Sequence, residues 1–293
     1  MNKKSCHFHL ILTAVLGCVL AFSSDIYAHS DALRLSASDN AQGKVTYLAN
    51  EAIMIESAET KLLFDPFFHH HFDTYALVPD TIKAKIMAGE PPFDNIKAIF
   101  VSHAHGDHFS DKDMLAYLTA HSGTHLYAPE QAISQLTFLA PPDEILARLH
   151  SISLAFGQQA ETTTNDNLLI ETVRIPHAGW PSRANVENLV FRVSIYSDAK
   201  RDDNALTVMH MGDADPNRQH FIPFKDLWQK RHTSMAFPPY WFYLSKQGNE
   251  ILDSIINTRK FAGIHVPLAV PEALLNSSND YFTQSGETRV IEK

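Results

Sequence analysis

Apolar residues recur along this chain in short blocks, and several of these blocks end at a histidine or an aspartate. Alternation and β-branched enrichment predict strands over 44–48, 52–56, 61–65 and 97–101. Spacing of apolar positions at three and four residues predicts helices over 112–120 and 129–138. The second half has the same character. Strand-like runs cover 168–175, 191–195, 205–211, 234–237 and 261–267, with helical runs over 218–230 and 249–258. No repeat or low-complexity linker separates the halves. The pattern alone supports a mixed α and β domain. The helix at 112 is announced by its own signals: Ser110 is a natural N-cap, Asp113 stands three residues on, and Phe109 and Met114 occupy the two staple positions.

Those signals fix the exit of a loop with unusual chemistry. His103-Ala104-His105-Gly106-Asp107-His108 follows the apolar run 96–101 with only Ser102 between. At the end of a strand, His103 and His105 project to one side because alternate residues share a face. Gly106 permits the turn that lets Asp107 and His108 address a second position. Imidazoles and a carboxylate at this spacing make a site for borderline divalent metals, with zinc the default and manganese or iron also compatible. The competing reading is a solvated histidine-rich loop.

The H-x-H-x-D-H stretch, with a later separate His, Asp and His, resembles the metallo-β-lactamase-fold hydrolase superfamily. The later matches are His177 in Pro176-His177-Ala178-Gly179, Asp213 in Gly212-Asp213-Ala214-Asp215, and His265 after the run 261–264. The resemblance spans about residues 43 to 267 and implies an α+β fold, an αββα sandwich of two mixed sheets flanked by helices. It also implies two divalent ions, one held by His103, His105 and His177, the other by Asp107, His108 and His265, with Asp213 bridging. His210 and Asp215 compete with Asp213 for that role. The implied activity is metal-dependent hydrolysis of an ester, lactone or phosphodiester by a metal-bridging hydroxide, with Asp107 orienting the nucleophile or taking a proton. The chain looks closer to the lactonase and phospholipase-D-like branches than to true β-lactamases, since no Cys is available as a ligand. A thioester hydrolase or a di-iron redox protein on the same fold, and a non-catalytic periplasmic metal-binding protein, remain open alternatives.

Three other features bear on the site. Asp65 ends the run 62–64 and either orients a metal-binding imidazole or simply forms an Asp-Pro turn. His69-His70-His71 either lines the mouth of the site or forms an exposed loop with adventitious metal affinity. Pro238-Pro239-Tyr240-Trp241-Phe242-Tyr243 either walls a pocket or fills core.

Composition narrows the setting. The 293 residues carry a net charge of −9, and 17 are histidine, so most histidines serve outside any metal site. No basic run suited to phosphates appears, which argues against nucleic acid and leaves a small-molecule substrate as the expected partner. Oligomeric state is not legible. Lys3 and Lys4, the apolar run 10–22 and the polar stretch 23–28 read as an export signal cleaved after Ala28, leaving one hydrolase domain over 29–293. The apolar run is short for a membrane span. A lipidated Cys18 after Val15-Leu16-Gly17 is the alternative. Cys6 and Cys18 both fall in this segment, so a mature chain would be thiol-free, in keeping with a periplasmic or secreted location.

Overall fold

A computed structural model describes residues 43–197 and 205–292. The expected export signal over 1–28 lies outside them. In chain order the strands are β1 (Gly43–Ala49), β2 (Ala52–Ser57), β3 (Thr60–Phe64), β4 (Ile96–Phe100), β5 (His125–Pro129), β6 (Leu149–Ile152), β7 (Glu161–Asn165), β8 (Leu168–Arg174), β9 (Leu189–Ile195), β10 (Leu206–His210), β11 (Met235–Phe237) and β12 (Thr288–Ile291). They form two sheets, ordered β12-β1-β2-β3-β4-β5-β6 and β11-β10-β9-β8-β7. Each mixes senses: β3 through β6 pair in parallel and β10 pairs in parallel with β11, while the other pairings are antiparallel.

Period-two alternation explains the layering. On β2, Ile53 and Ile55 face the second sheet while Ala52 and Met54 face the helices; on β4, Phe100 points inward and Ile99 outward. β9 answers with Phe191 and Val193 inward and Val190 outward. Strands buried on both faces read as continuous apolar runs, which is why 96–101 lacks polar alternation. The outer face of the first sheet is covered by α1 (Asp80–Ala88), α2 (Asp111–Ala120) and α3 (Glu130–Phe138), through Ile86, Met114, Leu118, Ile133 and Leu136. The second sheet is covered by Phe221, Trp228, Ile251 and Leu252, from the helical segments that follow β10. The result is the expected αββα sandwich.

Several boundaries differ from the sequence pattern for local reasons. The helix expected over 129–138 starts at Glu130 because Pro129 closes β5. The run 218–230 is broken into Arg218–Phe221, a 3₁₀ turn at Ile222–Phe224 and Lys225–Gln229, with Pro223 inside the turn. The helix expected over 249–258 begins earlier, at Lys246, where the Ser245 side chain accepts from Gly248 N. The run 261–267 is not a strand. It is an extended segment held by single bridges, Phe261 to Ala236 and Ile264 to Pro239. No helix among the described residues is long and apolar enough to cross a membrane.

Candidate metal centre

The ends of β4, β8 and β10 deliver the polar residues to one edge of the sandwich. β4 ends at Phe100, and Val101 N still donates to Tyr127 O, so the strand's direction persists to the histidine loop. The loop closes on itself, with His108 N and Phe109 N donating to His105 O at 3.0 and 2.8 Å. α2 then starts at the expected cap, the Ser110 side chain accepting from Asp113 N.

All seven residues that the sequence singled out as ligands come together. His103 Nε2 lies 3.1 Å from His105 Nδ1, and these two group with His177. His108 Nε2 lies 3.3 Å from His265 Nε2, and Asp107 Oδ2 is 3.6 Å from each of them. Asp213 stands between the two groups. Its Oδ2 is 3.1 Å from His177 Nε2, while its Oδ1 is 3.1 Å from His265 Nε2 and 3.4 Å from His108 Nε2. One carboxylate thus presents one oxygen to each cluster.

The donor set suits divalent cations. His177 Nε2 and Asp213 Oδ1 are buried with no formal hydrogen bond and face only other members of the ligand set, crowding that a shared cation would relieve. Burial, reinforced by the nearby positive His108, holds His103 well below the ordinary imidazole range, and burial with His177 brings His105 down to about 4. Both therefore offer free lone pairs at neutral pH. The other cluster behaves oppositely. Burial works against charging His265, but Asp213 and a hydrogen bond to Asp107 push it up to about 9. His108 is likewise raised, with Asp213 and Asp65 outweighing its burial. For Asp213 itself burial opposes ionisation, but the charges of His265 and His108 hold it well below the usual carboxylate range.

The competitors fall elsewhere. His210, at the end of β10, stacks on Phe64 and points Nε2 at Glu51 O, 3.0 Å away. Asp215 turns to Asn217 N at 3.0 Å and His220 at 3.8 Å.

Asp65 supports the loop while also forming a turn. Its Oδ1 accepts from Ser102 N at 2.7 Å, and its Oδ2 accepts from Ser102 Oγ at 2.5 Å and His108 Nδ1 at 2.9 Å. Its φ of 43° marks the turn into Pro66. His69 N and His70 N donate to Gly106 O, and the His70 ring lies where a Gly106 Cβ would project, 2.5 Å from Cδ2. The histidine triplet therefore braces the metal loop from outside, and its neighbour Phe72 lines the cavity instead. The aromatic block splits: Phe242 and Tyr243 are core, whereas Trp241 packs against the His265 ring at 5.2 Å and donates to Ala214 O. Tyr75 meets the same ring edge-on at 4.1 Å. This packing holds His265 at a φ of 59°, which a residue with a Cβ adopts only when its surroundings compel it.

Sequence reasoning missed several supports. Asn188 Oδ1 accepts from Asp213 N at 2.9 Å, and its amide donates to Ile175 O and Met211 O, which joins the two loops that carry His177 and Asp213. Asn50 Nδ2 donates to Asp107 O, and Asn50 O accepts from His265 N. Glu51 is fully buried beneath the site, 3.8 Å from His108 Nδ1, and burial raises its carboxyl well above the usual range. An isolated Asn carries no spacing signal. The Asn50-Glu51 turn between β1 and β2 reads only as a hairpin connection.

The chain matches the β-lactamase superfamily domain over residues 60–223. It is 35% identical over 65 residues to the UPF0173 metal-dependent hydrolase of Alkaliphilus metalliredigens (strain QYMF), a match covering 22% of this chain and 23% of that relative's length. Among solved structures, Igni18, a metallo hydrolase from Ignicoccus hospitalis KIN4/I, superposes with a TM-score of 0.54 at 15% identity, over 86% of this chain and 99% of that one. A protein of Parabacteroides distasonis ATCC 8503, provisionally described as a metal-dependent hydrolase, gives 0.52 at 17% identity, over 81% and 90%. These structures share the fold. With the domain match extending over more than half of its length, the chain belongs to the β-lactamase superfamily domain family, the metallo-β-lactamase group that its histidine motif resembles.

Proposed function

We propose that this chain is a binuclear metal-dependent hydrolase acting on an ester, lactone or phosphodiester. The observation that carries the reading is Asp213, which offers Oδ2 to the His177 side and Oδ1 to the His108 and His265 side. His103, His105 and His177 would hold one ion, Asp107, His108 and His265 the other, with Asp213 shared. The nitrogen and carboxylate donors favour zinc, and both cysteines lie within the proposed export signal, so no thiolate competes. When bound, the ions supply a water acidic enough to attack near neutral pH and a Lewis acid for the attacked group.

The chain's own residues do the rest. Asp65 fixes the His108 ring by accepting from Nδ1, which leaves Nε2 as the ligating atom. Asp107 lines the cavity and is the carboxylate placed to orient the nucleophile or take its proton. Asn188 holds the backbone of Asp213. Residues 1–28 act as an export signal in this reading, so protein recovered from the native host would begin at His29 by intact mass.

Metal content and turnover test the function together. Purified protein should bind two transition-metal ions, and His103→Ala with His105→Ala should abolish one and impair the other. The metal-loaded protein should turn over at least one class in a panel of phosphodiesters, lactones and acyl esters. Wild-type metal content in the double variant would end the binuclear assignment. Two bound ions with no turnover on any class would favour a metal-binding protein.

A further inference from the structure

The metal cluster opens into a cavity of about 530 Å³, whose lining includes His105, Asp107, Asp213 and His265. Arg183 lines it too, the sole Lys or Arg among the described residues that do. Among the described arginines only Arg183 and Arg259 have a guanidinium with no hydrogen bond or ion pair, and of these only Arg183 lines the metal cavity. Arg148 donates to backbone carbonyls, as do both Nη atoms of Arg174, while Arg192 and Arg231 pair with Glu171 and Arg289 with Asp280. Among the described residues no hydrogen bond or ion pair involves the Arg183 guanidinium, although Asp107 and Asp213 share its cavity.

The backbone beneath it is nevertheless firmly held. Ala184 N donates to Pro181 O and Val186 N to Arg183 O, both at 3.0 Å. Arg174 Nη2 reaches Ala184 O and Val186 O at 3.3 and 3.4 Å, tying the loop to β8. Gln131 on α3 donates to Asn185 O at 2.7 Å and exchanges two further bonds with Glu187. Gly179, at a φ of 90°, has no side chain, and the Arg183 stem lies across it, Cδ being 3.5 Å from where a Cβ would stand. A cation whose backbone is anchored and whose head group has no partner is prepared for a ligand from outside.

We infer that Arg183 selects substrates carrying an anionic oxygen group, a carboxylate or a phosphate ester, and holds that group in the metal cavity. The planar guanidinium matches both groups through paired N–H donors, which a point charge cannot do. Asn185, on the same wall, offers a further amide, while Phe72 and Val186 supply apolar contact for the rest of the molecule. The inference rests on the hydrolase reading in treating that ligand as a substrate; the binding it describes does not need turnover.

Calorimetric titration of the metal-loaded protein tests it, with dimethyl phosphate and monomethyl succinate as anionic probes and trimethyl phosphate as the neutral control. Arg183→Gln should weaken at least one anion by about tenfold or more, the low end for a charge-assisted contact because this side chain is exposed. Arg183→Lys should fall in between, and the neutral probe and the metal content should not change. Whichever anion suffers the greater loss identifies the group. Equal affinities of wild type and Arg183→Gln for both anions, or no binding of either by wild type, overturn the inference while leaving the metal assignment intact. Conversely, protein that holds no metal and hydrolyses nothing, yet loses anion affinity on Arg183→Gln, sinks the hydrolase reading and supports the role of Arg183.

Discussion

Replacing Asp65 by Asn should weaken metal binding at one half of the candidate centre without unfolding the protein. The carboxylate receives three buried donors: Ser102 N on Oδ1, and Ser102 Oγ with His108 Nδ1 on Oδ2. An amide retains one acceptor, and the backbone N–H, which has no other orientation, must keep it. The NH₂ then faces Ser102 Oγ and His108 Nδ1. The hydroxyl can adapt by rotating to accept from the new NH₂ while it still accepts from His103 Nδ1, 3.0 Å away, so the His103 tautomer is unchanged. The imidazole can adapt only by moving its proton from Nδ1 to Nε2, the atom that faces Asp213 and His265. Glu51 Oε2, at 3.8 Å, is too distant to accept from Nδ1 and rescue the original tautomer. Loss of such an outer partner costs on the order of 10–100-fold in metal affinity, or about 1.4–2.8 kcal/mol at 1.4 kcal/mol per tenfold. The loss should fall on the ion at His108 and His265 and spare the one at His103, His105 and His177. Zinc titration against a competing chelator, with elemental analysis, reads both affinities. If Asp65→Asn binds both ions as tightly as wild type, the tautomer argument is wrong.

The remaining predictions concern the bridge and the pH dependence. Asp213→Asn should lower kcat by more than the 10–100-fold expected from losing an outer partner, with KM less affected. Asp215→Asn, whose carboxylate faces Asn217 and His220, should be nearly neutral, and the reverse order in steady-state kinetics would misplace the bridge. Metal uptake should be asymmetric with pH. In the metal-free protein His265 is raised from 6.5 to about 9, so its protonated form stabilises the fold fully below 6.5, and that contribution is lost as pH rises through about 9. An ion binding there displaces that proton, so its affinity should climb between these limits. His105, lowered to about 4, and His103, held below the ordinary range, are already neutral, so the ion on their side should show the shallower pH dependence across the same window. Equal pH slopes for the two ions in titrations at pH 6.5 and 8.5 would contradict the assignment.

What was legible in the sequence followed from local periodicity and spacing. The run 96–101, the glycine-bearing loop and the Ser110 cap are neighbours in sequence, so each constrains the next, and β4, the loop and α2 appear in that order. Polar or short edge strands were not legible. β7 reads Glu-Thr-Thr-Thr-Asn and β12 spans only Thr288–Ile291, and neither offers enough apolar alternation to separate it from loop. The segment before His265 misled for a different reason: its apolar residues are buried like a strand's, yet its backbone partners are scattered over Ala236, Pro239 and Tyr281. Asn188 and Asn50 act through contacts distant in sequence, and nothing in the residues beside them announces those contacts.

The same distinction explains why the site forms where it does. The first sheet contributes Asp65 and the loop His103–His108 after β3 and β4; the second contributes His177 and Asp213 after β8 and β10. Neither set contains both clusters, so the distance between sheets at this edge sets the distance between ligands. That distance is controlled by a few small contacts. Leu189 N, on the second sheet, donates to Ser102 O on the first at 2.9 Å. Gly212, at a φ of 53°, packs so closely that a Cβ would lie 2.4 Å from Asn188 Oδ1 and 2.6 Å from Ser102 Cβ. Ser102 thus touches Asp65, His103 and the Gly212 turn, while Asn188 touches the turn and the Asp213 backbone. A larger residue at Gly212 would push the Asp213 loop away from the histidine loop and separate Oδ1 and Oδ2 from the clusters they serve. The glycine directly before Asp213 is therefore part of the candidate site, because it lets the second sheet approach the first closely enough for one aspartate to reach both groups of histidines.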